Sequence, residues 1–283
     1  MRFVLTGATH GLGRIVALDL AARGVELVVL ARDPRKVDEL RREAGGAAFI
    51  TAVEVDLASL RQVRRVGEEI ARSGPLDGLI NSAGAHVVSP RLTTEGFSEM
   101  VAVNYLAPWV LTAALLPSLT ASPSARIVSV GSRGADMVKE IDPRRDIADT
   151  SSYSRTGSFV RYGRTKLMDI MFSQELARRL SGTGVTSNCC DPGFNATGLS
   201  REWPLFSTVT KALGVLGAGR PERGAGIIAS LAIDQTYRGV TGQYVSRSGK
   251  PVQCPEAGRS ADVQRELWIA TESLLGKTSL HSA

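Results

Sequence analysis

Cysteine is scarce. Cys189, Cys190 and Cys254 are the only three, too few for a disulfide framework, and two adjacent thiols lack the spacing of metal ligands. Buried thiols in or beside a strand are the expectation, with no metal site. No apolar run reads as long enough to span a bilayer, and no signal peptide precedes the first strand, so the expected setting is cytoplasmic, without an integral membrane segment. The formal charge is +6, yet the basic residues come in scattered pairs such as Arg41-Arg42 and Arg64-Arg65. That pattern reads as solvated helix faces and not as a nucleic-acid stripe. Internal repeats and linkers between domains are also missing.

What remains is a chain of 283 residues with 29 glycines and 43% apolar residues, which suits one large α/β domain. Strand and helix patterns alternate. Strands are expected at 3–6, 26–31, 48–55, 76–81, 126–130, 185–190 and 243–246. Helices are expected at 14–23, 60–72 and 97–119, the last interrupted by Pro108. The predicted fold is a single doubly wound Rossmann-type domain over residues 1–276, a seven-stranded parallel sheet flanked by helices, with ligands at the carboxyl ends of the strands. Residues 277–283 read as a tail. Two stretches break the rhythm, 133–161 and 194–223. The second, with Trp203 and Phe206, reads as a substrate-side excursion.

Chemistry begins at the first turn, Thr6-Gly7-Ala8-Thr9-His10-Gly11-Leu12-Gly13. A glycine-rich turn from strand to helix aims backbone N–H groups and the positive helix end at a phosphate. Gly7 suits a tight turn, Gly11 a close approach to a pyrophosphate, and Gly13 close helix–strand packing. Tyr162 and Lys166 lie four apart, on one face of a predicted helix. A nearby ammonium favours phenolate, so Lys166 is expected to ease proton exchange by the Tyr162 hydroxyl. Ser132, just past the fifth strand, either orients a substrate oxygen or caps a turn.

With these residues in place, the chain resembles the short-chain dehydrogenase/reductase superfamily from residue 2 to about residue 276. Thr6-Gly7-x-x-x-Gly11-x-Gly13 resembles its cofactor loop, and Asn81-Ser82-Ala83-Gly84 its Asn-Asn-Ala-Gly element, with Ser82 in place of the second Asn. Asn104 matches a helix asparagine and completes a tetrad with Ser132, Tyr162 and Lys166. The resemblance implies that Tyr162 is the general acid for reduction and the base for oxidation, with Ser132 binding the substrate oxygen. Lys166 then lowers the Tyr162 pKa, Lys166 and Tyr162 both contact the cofactor with Lys166 holding the nicotinamide ribose, and Asn104 positions Lys166 and a water. Pro192-Gly193-Phe194-x-x-Thr197 resembles the family's Pro-Gly segment, in which Phe194 and Thr197 anchor the carboxamide. Asp56-Leu57 resembles the pair bordering adenine.

At the end of the second strand, an acidic side chain would accept hydrogen bonds from the adenosine ribose and imply NAD. Here Ala31 is followed by Arg32, which can pair bidentately with a 2′-phosphate. His10 adds a basic group beside the glycine loop, and the expected cofactor is NADP(H). Residues 162–167, 175–180 and 239–244, with Leu267-Trp268, resemble the retinol-dehydrogenase-like branch. The interval from Ser132 to Tyr162 is longer than usual for the family. The expected function is an NADPH-dependent carbonyl reductase, reversible as an alcohol dehydrogenase, for a bulky apolar or aromatic small molecule. A nucleotide-binding regulator on the same fold stays open, as does a double-bond reductase, epimerase or dehydratase. Residues 97–119 and 167–180 either meet a second copy, as family analogy suggests, or face solvent.

Overall fold

The computed structural model describes residues 1–46, 49–193 and 221–276. Its centre is a sheet built from β1 (Arg2–Thr6), β2 (Glu26–Ala31), β3 (Ile50–Glu54), β4 (Gly78–Asn81), β5 (Arg126–Val130), β6 (Thr186–Cys190), β7 (Tyr244–Val245) and β8 (Pro251–Val252), in the order β3-β2-β1-β4-β5-β6-β7-β8. The first seven strands run parallel. The eighth corrects the expected all-parallel, seven-stranded sheet, because β8 pairs with β7 in the antiparallel sense. Gly249, at φ +79°, closes the connecting turn, where the Ser246 and Lys250 backbones also bond. A two-residue strand carries no periodicity to read, and its Pro251 suits a sheet edge because no further strand among the described residues asks for its N–H.

Strand order reverses between β1 and β4, which opens a crevice at their carboxyl ends. Helices α1 (Gly11–Ala22) and α2 (Pro34–Glu43) follow β1 and β2, and α3 (Leu60–Ala71) follows β3. Alternate side chains of each strand feed two cores. Val4, Leu79 and Ile127 join the side holding α3, whereas Phe3, Leu5 and Ile80 join the side holding α1.

Helix α4 (Glu99–Thr120) runs straight through Pro108. Proline ordinarily breaks a helix by clashing with the carbonyl four residues earlier. Here the five residues before Ala107, Ala102–Leu106, form a wider π-helical segment that leaves room for the ring. By length and composition α4 is apolar enough to cross a membrane, which the sequence reading did not anticipate, but 78% of its apolar window is buried inside the protein. It is a core helix.

The 133–161 excursion contains α5 (Pro143–Ala148) and is tied down at several points. Arg164 and Arg145 both pair with the buried Asp146 carboxylate, Arg161 pairs with Asp149, and the Tyr153 hydroxyl donates to the Val87 carbonyl at 2.9 Å. These bonds dock it beside α6 (Gly157–Arg179). Helix α7 (Pro221–Ile233) begins inside the predicted 194–223 excursion. The rest of that excursion, with Trp203 and Phe206, and the 277–283 tail lie outside the described residues.

Helix α8 (Ala261–Leu274) packs against part of α4 and α6, the two helices that the sequence left open to a partner or to solvent. Trp268 stacks on Phe172 of α6 with centroids 5.8 Å apart, and meets Trp109 of α4 at 5.7 Å.

Candidate active site

A cleft of about 930 Å³ lies along the carboxyl ends of β1, β2, β4 and β5. Gly7, His10, Gly11, Leu12 and Gly13 form one end of it. Gly7 and Gly11 have φ of +77° and +55°, a region that favours glycine. A Cβ on Gly7 would come within 2.8 Å of the Ala83 backbone, and one on Gly13 would overlap the Gly7 carbonyl. Glycine at these two positions lets the β1 turn pack against the turn after β4 and lets α1 start close against β1. His10 places no capping hydrogen bond on α1, and the first turn holds no acidic residue. Its N–H groups and positive helix end suit a pyrophosphate.

Thr6 braces the loop from behind and does not line the cleft. Its hydroxyl accepts hydrogen bonds from the Ser82 and Ala83 N–H groups, both at 3.1 Å, and so locks the turn after β4 against β1. Asn81 is likewise buried beneath that turn, whereas Ala83 and Gly84 face the cleft. Asp56 and Leu57 border it on the β3 side, where an Asp56 oxygen accepts from the Ala58 N–H.

At the end of β2, Arg32 faces the cleft on an exposed stem, and its guanidinium has no ion pair among the described residues. Asp33 is occupied. It caps α2 by accepting from the Arg35 N–H, and the Arg35 guanidinium bonded to it holds its carboxyl below the ordinary value. Lys36 reaches back to 3.2 Å from His10 Nε2. Sequence reasoning missed Lys36, because one turn of α2 is needed to aim it at the glycine loop.

Further along, Ser132, Tyr162 and Lys166 line the same cleft. Ser132 takes the turn-capping role, its oxygen accepting from the Gly134 N–H at 3.0 Å, and it lines the same cleft as Tyr162. Burial pushes the Tyr162 phenol above its ordinary pKa, outweighing the lowering by the Lys166 charge, and Asp169 adds to the rise. The sequence reading, which counted only the lysine, expected the opposite net shift. Tyr105 has no part in the cleft, since its hydroxyl is closed in the core against Thr271 at 2.7 Å.

Asn104 braces the site without touching the Lys166 ammonium. Its amide accepts from the Ala85 N–H at 2.7 Å and donates to the Ala85 carbonyl and the Thr165 hydroxyl, both at 2.9 Å. Thr165 in turn donates to the Tyr162 carbonyl. The π-helical segment thus clamps the β4 turn to the tyrosine helix.

Pro192 and Gly193 line the cleft beside Asp191, whose carboxylate accepts from the Gly193 N–H at 3.0 Å. Phe194 and Thr197 lie outside the described residues. His86 was also missed. Its ring stands 5.4 Å from that of Tyr162 and 4.7 Å from that of Phe159, within hydrogen-bond reach of Ser158. The three cysteines are free and buried, and among the described residues no cluster of His, Cys, Asp or Glu could hold a metal.

A profile of the short chain dehydrogenase family matches residues 2–141. Retinol dehydrogenase 14 of Mus musculus is 36% identical over 294 residues, spanning 96% of this chain and 85% of that protein. Polyprenol dehydrogenase of Mus musculus is 35% identical over 289 residues, spanning 96% and 83%. A solved structure from Beutenbergia cavernae, with NADP bound at low occupancy, superposes at a TM-score of 0.68 with 26% identity, covering 88% of this chain and 95% of that one. Sequence identity of 36% across 96% of the chain goes beyond shared architecture, and the protein belongs to the short-chain dehydrogenase family.

Proposed function

We propose that the protein is an NADPH-dependent carbonyl reductase, reversible as an alcohol dehydrogenase, for a bulky apolar or aromatic aldehyde, ketone or alcohol. The observation that carries this reading is the joining of Ser132, Tyr162 and Lys166 to the glycine loop in one continuous cleft. NADP(H) is the cofactor. It supplies, when bound, the hydride that passes to or from the substrate carbon.

The chain's own residues do the rest. Gly11, Leu12 and the N-terminus of α1 cradle the pyrophosphate, and Arg32, with Lys36 nearby, offers cationic donors to the 2′-phosphate. In reduction the Ser132 hydroxyl donates to the carbonyl oxygen, and Tyr162 delivers the proton that completes the alcohol. In oxidation the Tyr162 phenolate takes that proton back. Leu92, Met137 and Phe159 give the substrate end of the cleft an apolar wall. The names of the retinol and polyprenol relatives support a lipophilic substrate, and three free, buried cysteines support a reducing, cytoplasmic setting.

The test is NADPH consumption with a panel of carbonyls running from butanal through 4-nitrobenzaldehyde to retinal. Turnover rising with apolar size supports the reading, and no turnover of any carbonyl by protein that binds NADPH refutes it. Cofactor choice has its own check. Hydrogen bonds to ionised groups contribute about 1.5–3 kcal/mol. Arg32→Ala is therefore expected to weaken NADPH binding roughly 10- to 100-fold and leave NADH binding unchanged, as read by fluorescence titration.

A further inference from the structure

The Lys166 ammonium is held by two acceptors other than Tyr162. Its Nζ donates to the Val130 carbonyl and to Asp169 Oδ2, each at 2.8 Å, while the Tyr162 ring centroid is 6.0 Å away. Lys166 and Asp169 are only 4% and 3% exposed, so water screens their interaction little. A buried carboxylate is costly to desolvate, and neither hydride nor proton transfer calls for one at this place. Three residues apart on α6, the two side chains share a helix face.

The other titratable groups around the pair come from several elements. Tyr162 stands on α6 itself, Cys189, Cys190 and Asp191 at β6 and its end, Tyr105 on α4, and His86 after β4. Lys166 is the one lysine or arginine in that set. Whatever reduces its field is felt directly by the Tyr162 phenol.

We propose that Asp169 is a positioning residue that tethers the Lys166 ammonium and offsets its charge, keeping the Tyr162 phenol protonated through neutral pH and favouring its use as an acid in carbonyl reduction. The inference rests on Tyr162 being the proton donor. Burial pushes the Asp169 carboxyl up, the Lys166 ammonium 2.8 Å away favours its ionised form, and its charge raises the pKa of Tyr162. A serine–tyrosine–lysine set without this carboxylate would present a full positive charge to the phenol.

The direct test needs no substrate. Phenol ionisation is followed by ultraviolet absorbance in cofactor-free protein, and the Tyr162→Phe titration is subtracted to isolate the Tyr162 signal. Asp169→Asn is expected to move that transition down by about one pH unit or more, while Asp169→Glu, which keeps the charge, stays near wild type. With NADP⁺ and 4-nitrobenzyl alcohol as probes, the acid limb of the oxidation profile should move by the same amount. One unit corresponds to an oxidation rate about tenfold higher at pH 7.

An unmoved transition in folded Asp169→Asn overturns the proposal, as does an equal shift in Asp169→Glu. If Asp169→Asn does not fold, Asp169→Ser carries the comparison, and failure of both to fold marks a purely structural residue and overturns it too. Full reductase activity in Tyr162→Phe would instead sink the functional reading, a result separate from the titration shift.

Discussion

Tyr162→Phe is expected to lower carbonyl reduction by about 10²- to 10⁴-fold, the range that a positioned general acid contributes, while NADPH affinity changes far less. The substitution removes one oxygen and little volume, so the glycine loop and Arg32, which follow strands β1 and β2, keep their geometry. The loss should fall on kcat rather than on KM, because the proton is needed in the transition state and not for ground-state binding. The phenol's raised pKa gives the prediction a pH signature. Reduction uses the protonated form and should hold its rate through neutral pH, whereas oxidation uses the phenolate and should climb as pH rises. Stopped-flow NADPH oxidation across a pH series measures both. A variant retaining most of its rate would remove Tyr162 from the chemistry.

Trp268→Ala should cost about 3–5 kcal/mol of folding stability, the range for truncating a buried tryptophan. Its ring is 1% exposed, stacked on Phe172 at an interplanar angle of 15°, packed against Trp109, and covered on one side by the Arg179 guanidinium at 4.3 Å. The indole N–H makes no hydrogen bond, so the cost comes from lost packing and the cavity left behind, with a smaller part from the cation–π contact. Urea unfolding followed by circular dichroism reads the change, and Trp268→Phe should recover a large part of it. A loss below about 1 kcal/mol would mean that α8 is only loosely docked, in conflict with its packing against α4 and α6.

Much of the architecture was legible because its signals are local. β2 and β5 match their predicted spans residue for residue, since strands buried on both faces read as continuous apolar runs. The Pro108 break and the β7 edge were misread because a five-residue π-helical segment and a two-residue strand are each too short to carry a repeat of their own. The pairing of Asn104 with Thr165 spans 61 residues, and no spacing rule foretells it.

Residue order alone was enough for the phosphate turn, the Tyr162–Lys166 pair and the arginine at the end of β2. Each depends on residues within a turn or two of one another, and backbone stereochemistry then decides their relative direction. Tertiary structure decided what those groups feel. Only the folded chain brings Ser132 and Tyr162 to one cleft, packs α8 against α4 and α6, and closes Asp169 and Lys166 away from water. Burial and long-range charge together reverse the net shift of the tyrosine that its sequence neighbours imply, because both depend on how the whole chain excludes solvent.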